Sequence, residues 1–119
     1  MTPAEYRALQ SEVSFQKQVI HLAKLKGWRV HAERPARTKE SWATPIQGDP
    51  GWPDLVMVRG QRIIIAELKS ATGRLRPEQQ EWIVALQRAQ HPIDSLGHEE
   101  PGVYVFLPTD WDRIMEVLQ

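Results

Sequence analysis

The chain has 119 residues, 41% apolar and 25% charged, a balance that fits a folded globular protein and not a disordered one. Fifteen basic residues offset fifteen acidic ones, and there is no cysteine, which excludes disulfides, thiolate zinc sites and cysteine nucleophiles. No apolar run nears the ~20 residues of a membrane span. The polar start, Met1 to Gln10, lacks the apolar stretch of a signal peptide, so a cytoplasmic protein with no membrane partner is expected.

Ser11 and Glu12 open an amphipathic helix with Phe15, Val19, Leu22 and Ala23 on one side, and Gly27 ends it. Residues 28–32 read as a short strand. Residues 33–53 hold Pro35, Pro45, Pro50 and Pro53 with Gly48 and Gly51, and read as a long loop of the kind that usually carries function. Residues 54–58 and 63–69 are strands. Pro77 and Glu78 start a helix that runs to about residue 90, with Trp82, Ala85, Leu86 and Ala89 on one face. Residues 103–107 form a further strand. Thr109 or Asp110 caps a last helix carrying Trp111, Ile114, Met115 and Leu118. The predicted order is α-β-β-β-α-β-α in one domain spanning residues 1–119.

Charge is unevenly spread. Every basic residue except Arg113 precedes residue 89, whereas Asp94, Glu99, Glu100, Asp110, Asp112 and Glu116 follow it. Arg59, Arg62, Lys69, Arg74 and Arg76 cluster with a single acid, Glu67, among them. A local basic face of this kind keeps a nucleic-acid partner open despite the zero net charge.

Gly60 and Gln61 form a two-residue loop, and Gly at its first position suits a type II′ hairpin. That turn sets the register. Arg59 faces Arg62, Val58 faces Ile63, Val56 faces Ile65, and Asp54 faces Glu67. Opposed side chains have Cβ atoms ~4.5–5.5 Å apart. Lys69, two residues past Glu67, lies on the same face. Both faces of this hairpin are apolar, which predicts a central position in a sheet covered on both sides. Two facing acids repel unless something compensates. Two compensators are available: a divalent cation shared by both carboxylates, and Lys69 alone in a buried ion-pair network. Glu12 falls on the apolar side of the first helix, where a carboxylate needs a partner or serves the helix start. Gln79, in the first turn of the helix after Lys69, can reach the same end of the sheet or lie in solvent. His21, His31, His91 and His98 match no zinc spacing.

With these residues together the chain resembles a PD-(D/E)xK nuclease. More closely it resembles the stand-alone VRR-NUC (virus-type replication-repair nuclease) domains of phages and prophages. The matching residues are Ser11-Glu12 with Phe15-Gln16, Gly51-Trp52-Pro53-Asp54-Leu55, Glu67-Leu68-Lys69, and Gly73-Arg74-Leu75-Arg76-Pro77-Glu78-Gln79. Pro108-Thr109-Asp110-Trp111 extends the likeness. The resemblance implies a restriction-endonuclease-like α/β core, in α-β-β-β-α-β order, with a central mixed sheet flanked by helices. It implies that Asp54, Glu67 and the Leu68 carbonyl ligate a metal and that Lys69 orients or activates water. Glu12 would help hold a second metal or its waters, and Gln79 would position the scissile phosphate or the water. It further implies a homodimer acting on branched DNA.

The residue types agree with this. Hard oxygen ligands suit Mg²⁺ or Mn²⁺, and no small-molecule organic cofactor is expected. Arg34, Arg37, Lys39, Arg74 and Arg76 are candidates for DNA-backbone contacts, each with plain solubility as its other role. Trp42 and Trp52 could stack on unpaired bases, although burial against the sheet is the expected fate of Trp52. The leading expectation is a structure-selective, metal-dependent DNA endonuclease, most like a Holliday-junction resolvase. A flap or nicking nuclease, a non-catalytic DNA-binding module on the same fold, and a structural ion-pair cluster are the alternatives.

Overall fold

The computed structural model describes residues 1–33, 47–89 and 102–119. Its elements are α1 (Pro3–Leu9), α2 (Glu12–Leu25), β1 (Arg29–Ala32), β2 (Leu55–Arg59), β3 (Arg62–Leu68), α3 (Pro77–Arg88), β4 (Val103–Phe106), and α4 (Trp111–Val117), which a 3₁₀ turn at Pro108–Asp110 leads into. The expected core order holds. The addition is α1, announced by a capping box: Thr2 Oγ1 accepts from the Glu5 N–H at 3.1 Å and Glu5 Oε2 accepts from the Thr2 N–H at 2.7 Å. Among the described residues no helix is long and apolar enough to cross a membrane.

Four strands form one mixed sheet in the order β1-β2-β3-β4. The β2–β3 hairpin lies at its centre. Gly60 has φ +60° and Gln61 does not share the positive φ, as a type II′ turn requires. The predicted register follows, from Arg59 opposite Arg62 to Leu55 opposite Ala66. β1 pairs antiparallel with β2, and β4 pairs parallel with β3, the link between them running through α3.

One face of the sheet carries the core. Leu55, Met57, Ile64, Ala66 and Leu68 pack with Phe15, Val19 and Ala23 of α2, Phe106 of β4, Ile114 of α4, and Leu118 just beyond it. Ser11 caps α2 by accepting from the Ser14 N–H at 3.1 Å. The opposite face departs from the expected two-sided cover. Glu67 is buried there, but Val58 is 40% exposed and Ile63 53% exposed. The helix tied to this face, α3, meets it at the Glu67 end through Gln79. α3 is also rotated from the predicted face. Gln79 and Ile83 are its buried residues, whereas Ala85 and Ala89 are exposed. At 3.6 residues per turn Ala85 lies ~200° round the helix from Ile83, so both cannot face the sheet.

Arg59 and Arg62, grouped by sequence with the basic cluster, serve the fold instead. Their guanidinium groups lie 4.5 and 5.1 Å from the ring centre of Trp28. Arg59 donates to the carbonyls of Lys26 (2.9 Å) and Leu118 (3.2 Å), and Arg62 to that of Val117 (2.9 Å). These carbonyls, at the ends of α2 and α4, have no onward turn to accept from, and the cations satisfy them. Trp28 Nε1–H donates to the Leu118 carbonyl at 3.0 Å, tying the same corner. Trp28→Ala should therefore cost about 3–5 kcal/mol of stability, measured by urea unfolding; a loss below about 1 kcal/mol would contradict this packing.

Candidate active site

The two acids meet at the end of the central hairpin. The ladder stops at Leu55–Ala66, so Asp54 lies one residue before β2 and not inside it. Its side chain continues the pairing: Asp54 Oδ2 accepts from the Leu68 backbone N–H at 2.8 Å. Its own backbone carbonyl accepts from the Glu33 N–H at 3.1 Å. Glu67 stands on β3 opposite Val105 of β4 and is only 1% exposed.

Glu67 Oε1 is well served. Lys69 Nζ lies 3.4 Å away and the Gln79 side-chain N–H donates to it at 3.1 Å. Lys69 is itself 8% exposed. Gln79 Oε1 in turn accepts from the Arg76 backbone N–H at 2.9 Å, which ties the side chain to the start of α3. Glu67 Oε2 is different: it is buried and accepts no hydrogen bond among the described residues. An unserved buried carboxylate oxygen is costly.

Burial pushes the Glu67 carboxyl up from 4.5 to about 7; the charge of Asp54 pushes the same way, and Lys69 pulls it back. Lys69 thus does not fully compensate the pair. Asp54 and Glu67 Oε2 are hard oxygen donors, and the Leu68 carbonyl leaves β3 on the same side as the N–H that Asp54 holds. This donor set fits a hard divalent cation.

The other predicted residues fall in three groups. Gln79 joins the cluster, as described. Glu12 does not: it is the first residue of α2 and is exposed, one turn before Phe15 goes into the core. The expected burial on the apolar side of the helix is therefore absent, and among the described residues no group of three His, Asp or Glu could hold an ion. Arg74 and Arg76 are exposed in the segment leading into α3, Arg76 Nε being 3.5 Å from Glu78 Oε1. Arg34, Arg37, Lys39, Trp42, His91 and His98 lie outside the described residues. His21 and His31 are exposed, and His31 Nε2 is 3.7 Å from Glu33 Oε1.

Trp52 was expected against the sheet, but it is only half-buried and helps hold the loop before Asp54 on α3. Trp52 meets Trp82 of α3 edge to face, with ring centres 5.0 Å apart. Trp82 Nε1–H donates to the Asp49 carbonyl at 3.2 Å. The Gly-Trp-Pro run ahead of Asp54 was the available signal.

Glu67 holds its proton more tightly folded than unfolded. The stability this confers is fully present below pH 4.5 and is lost as pH rises through about 7. With chelator present, the protein should lose stability from this group as pH rises from about 4.5 through about 7. Glu67→Gln should flatten that slope in urea unfolding followed across pH; an unchanged slope would contradict the assignment.

A sequence model of the VRR-NUC domain matches residues 10–96. No curated protein and no solved structure gives a significant match. The matched span includes the hairpin, both acids, Lys69 and α3. The four-strand mixed sheet with its helices agrees with the PD-(D/E)xK-like fold of that family. The chain belongs to the VRR-NUC family, a family of nuclease-type DNA-processing domains.

Proposed function

We propose that this protein is a metal-dependent DNA endonuclease whose site is Asp54, Glu67, Lys69 and Gln79. One observation carries the reading: Glu67 Oε2 is buried without a donor among the described residues, beside a second acid, while Lys69 lies against Oε1. Among the described residues the ion pair with Lys69 leaves that oxygen without a cation of its own. Asp54, Glu67 Oε2 and the Leu68 carbonyl would hold Mg²⁺ or Mn²⁺, which when bound acidifies water and neutralises charge on a phosphodiester.

The side chains divide the remaining work. Lys69, held at 3.4 Å from Glu67, presents an ammonium where negative charge develops on the phosphoryl oxygens. Gln79 orients Glu67 through one amide hydrogen and keeps the second for a water or phosphate oxygen. Arg74 and Arg76, exposed beside the start of α3, meet the flanking phosphates. The likeness to VRR-NUC domains makes a homodimer on a four-way junction the first arrangement to test. Glu12, which the same likeness assigns to a second ion, would have to act from its exposed place at the start of α2.

The test incubates the protein with a four-way junction, a flap and plain duplex in Mg²⁺, Mn²⁺ or EDTA. Cutting should need metal and favour the junction. Asp54→Asn should abolish it, and Lys69→Ala should lower it by at least about 10²-fold. Metal-independent cutting, or normal cutting by Asp54→Asn, would overturn the site. Binding should weaken as salt rises, and Arg74→Ala should reduce the slope of log affinity on log salt by about 1. A slope unchanged in that variant would remove Arg74 from the interface.

A further inference from the structure

Asp54 stands outside the strand ladder, held by the Leu68 N–H on its carboxylate and the Glu33 N–H on its carbonyl, and the loop that precedes it adds a further constraint. The preceding loop is docked on α3. Gly51 has φ +99°, and a Cβ added there would lie 2.5 Å from the Glu78 carbonyl oxygen and 2.9 Å from the Gln79 nitrogen. Only a residue without a side chain lets the loop lie this close to the first turn of the helix. Trp82 holds the same loop at two further points, through its ring edge on Trp52 and its N–H on the Asp49 carbonyl. The helix turn that receives Gly51 also carries Gln79, which is bonded to Glu67.

We propose that Gly51, Trp52 and Trp82 are positioning residues: they latch residues 49–54 onto α3 and so set the gap between Asp54 and Glu67. The inference rests on the acid-pair site proposed above. A chain of contacts runs from Asp54 through Gly51 to the Glu78–Gln79 peptide and through Gln79 to Glu67. One acid is thereby fixed to the element that fixes the other. A methyl group at residue 51 must push the loop outward by about 1 Å, a displacement of the size that costs a preorganised site heavily.

The fold supplies its own control. Gly48, in the same loop, has φ +92° but nothing within 4 Å of an added Cβ. Gly48→Ala therefore meets the same backbone strain without disturbing the docking on α3. The experiment measures Mn²⁺ affinity by calorimetry and the single-turnover cutting rate at saturating Mn²⁺. It compares the intact chain with Gly51→Ala, Gly48→Ala, Trp82→Phe and Trp82→Ala, well below each melting temperature.

Gly51→Ala should weaken Mn²⁺ binding and slow cutting by about tenfold or more each, while Gly48→Ala stays within about threefold. Gly51→Ala within about threefold of the parent on both readouts, or Gly48→Ala losing as much as Gly51→Ala, would overturn the latch. If Gly51→Ala does not fold, the tryptophan pair decides. Trp82→Phe keeps the ring edge and loses the N–H, so it should fall between the parent and Trp82→Ala. Parent-like values for both would again overturn the proposal. A parent protein that neither binds Mn²⁺ nor cuts would remove the acid-pair reading itself, and the latch with it; a parent that does both isolates the latch as the thing tested.

Discussion

Two carboxylates held side by side in a largely dry place repel each other, and this protein is built around that conflict. Glu67 is buried on a central strand, Asp54 immediately precedes the neighbouring one, and Lys69 lies against a single Glu67 oxygen. The cost is visible in the raised proton affinity of Glu67 and in its Oε2, which has no partner among the described residues. A core evolved for stability alone would have no use for such an arrangement, because an apolar pair of similar volume packs better. The conflict is relieved when a positive charge lies between the acids. Fold, charge and chemistry meet at that point.

The rest of the molecule holds the pair in place. The two-residue turn at Gly60 aligns the strands, and the core face of the hairpin is clamped by α2 and α4. At the far end Arg59, Arg62 and Trp28 lock the ends of α2 and α4 to the turn. At the near end the loop before Asp54 rests on α3. The hairpin is thus fixed at both ends, leaving little freedom for the acids to move apart.

Much of this was legible in the residues. A Gly-initiated turn between two β-rich runs determines a register, and counting along it brings Asp54 toward Glu67, although the ladder itself stops one pair short, at Leu55–Ala66. Ser11 and Pro77 marked helix starts for the same local reasons that operate in the structure. The capping box of α1 was equally readable at Thr2 and Glu5. What sequence could not reveal was direction. Arg59 and Arg62 looked like part of a phosphate-binding face, yet packing turns them onto Trp28 and helix-end carbonyls. Periodicity assigned Glu12 to the apolar side of α2, but a side is buried only as far as something covers it, and here that ends at Phe15. The same limit applies to the face of α3, where the bond from Gln79 to Glu67 accompanies a burial pattern that Ala85 and Ala89 do not follow. The Gly-Trp-Pro run flagged the loop before Asp54, but the docking of Gly51 depends on a helix that lies well downstream, so the run alone did not give its meaning.

The most direct measurement is anomalous diffraction from crystals soaked in Mn²⁺. A strong peak bonded to an Asp54 oxygen and to Glu67 Oε2 is expected, and it should be lost in Glu67→Gln crystals. A peak elsewhere at saturating Mn²⁺, or none, would contradict the claim that these acids exist to grip an ion.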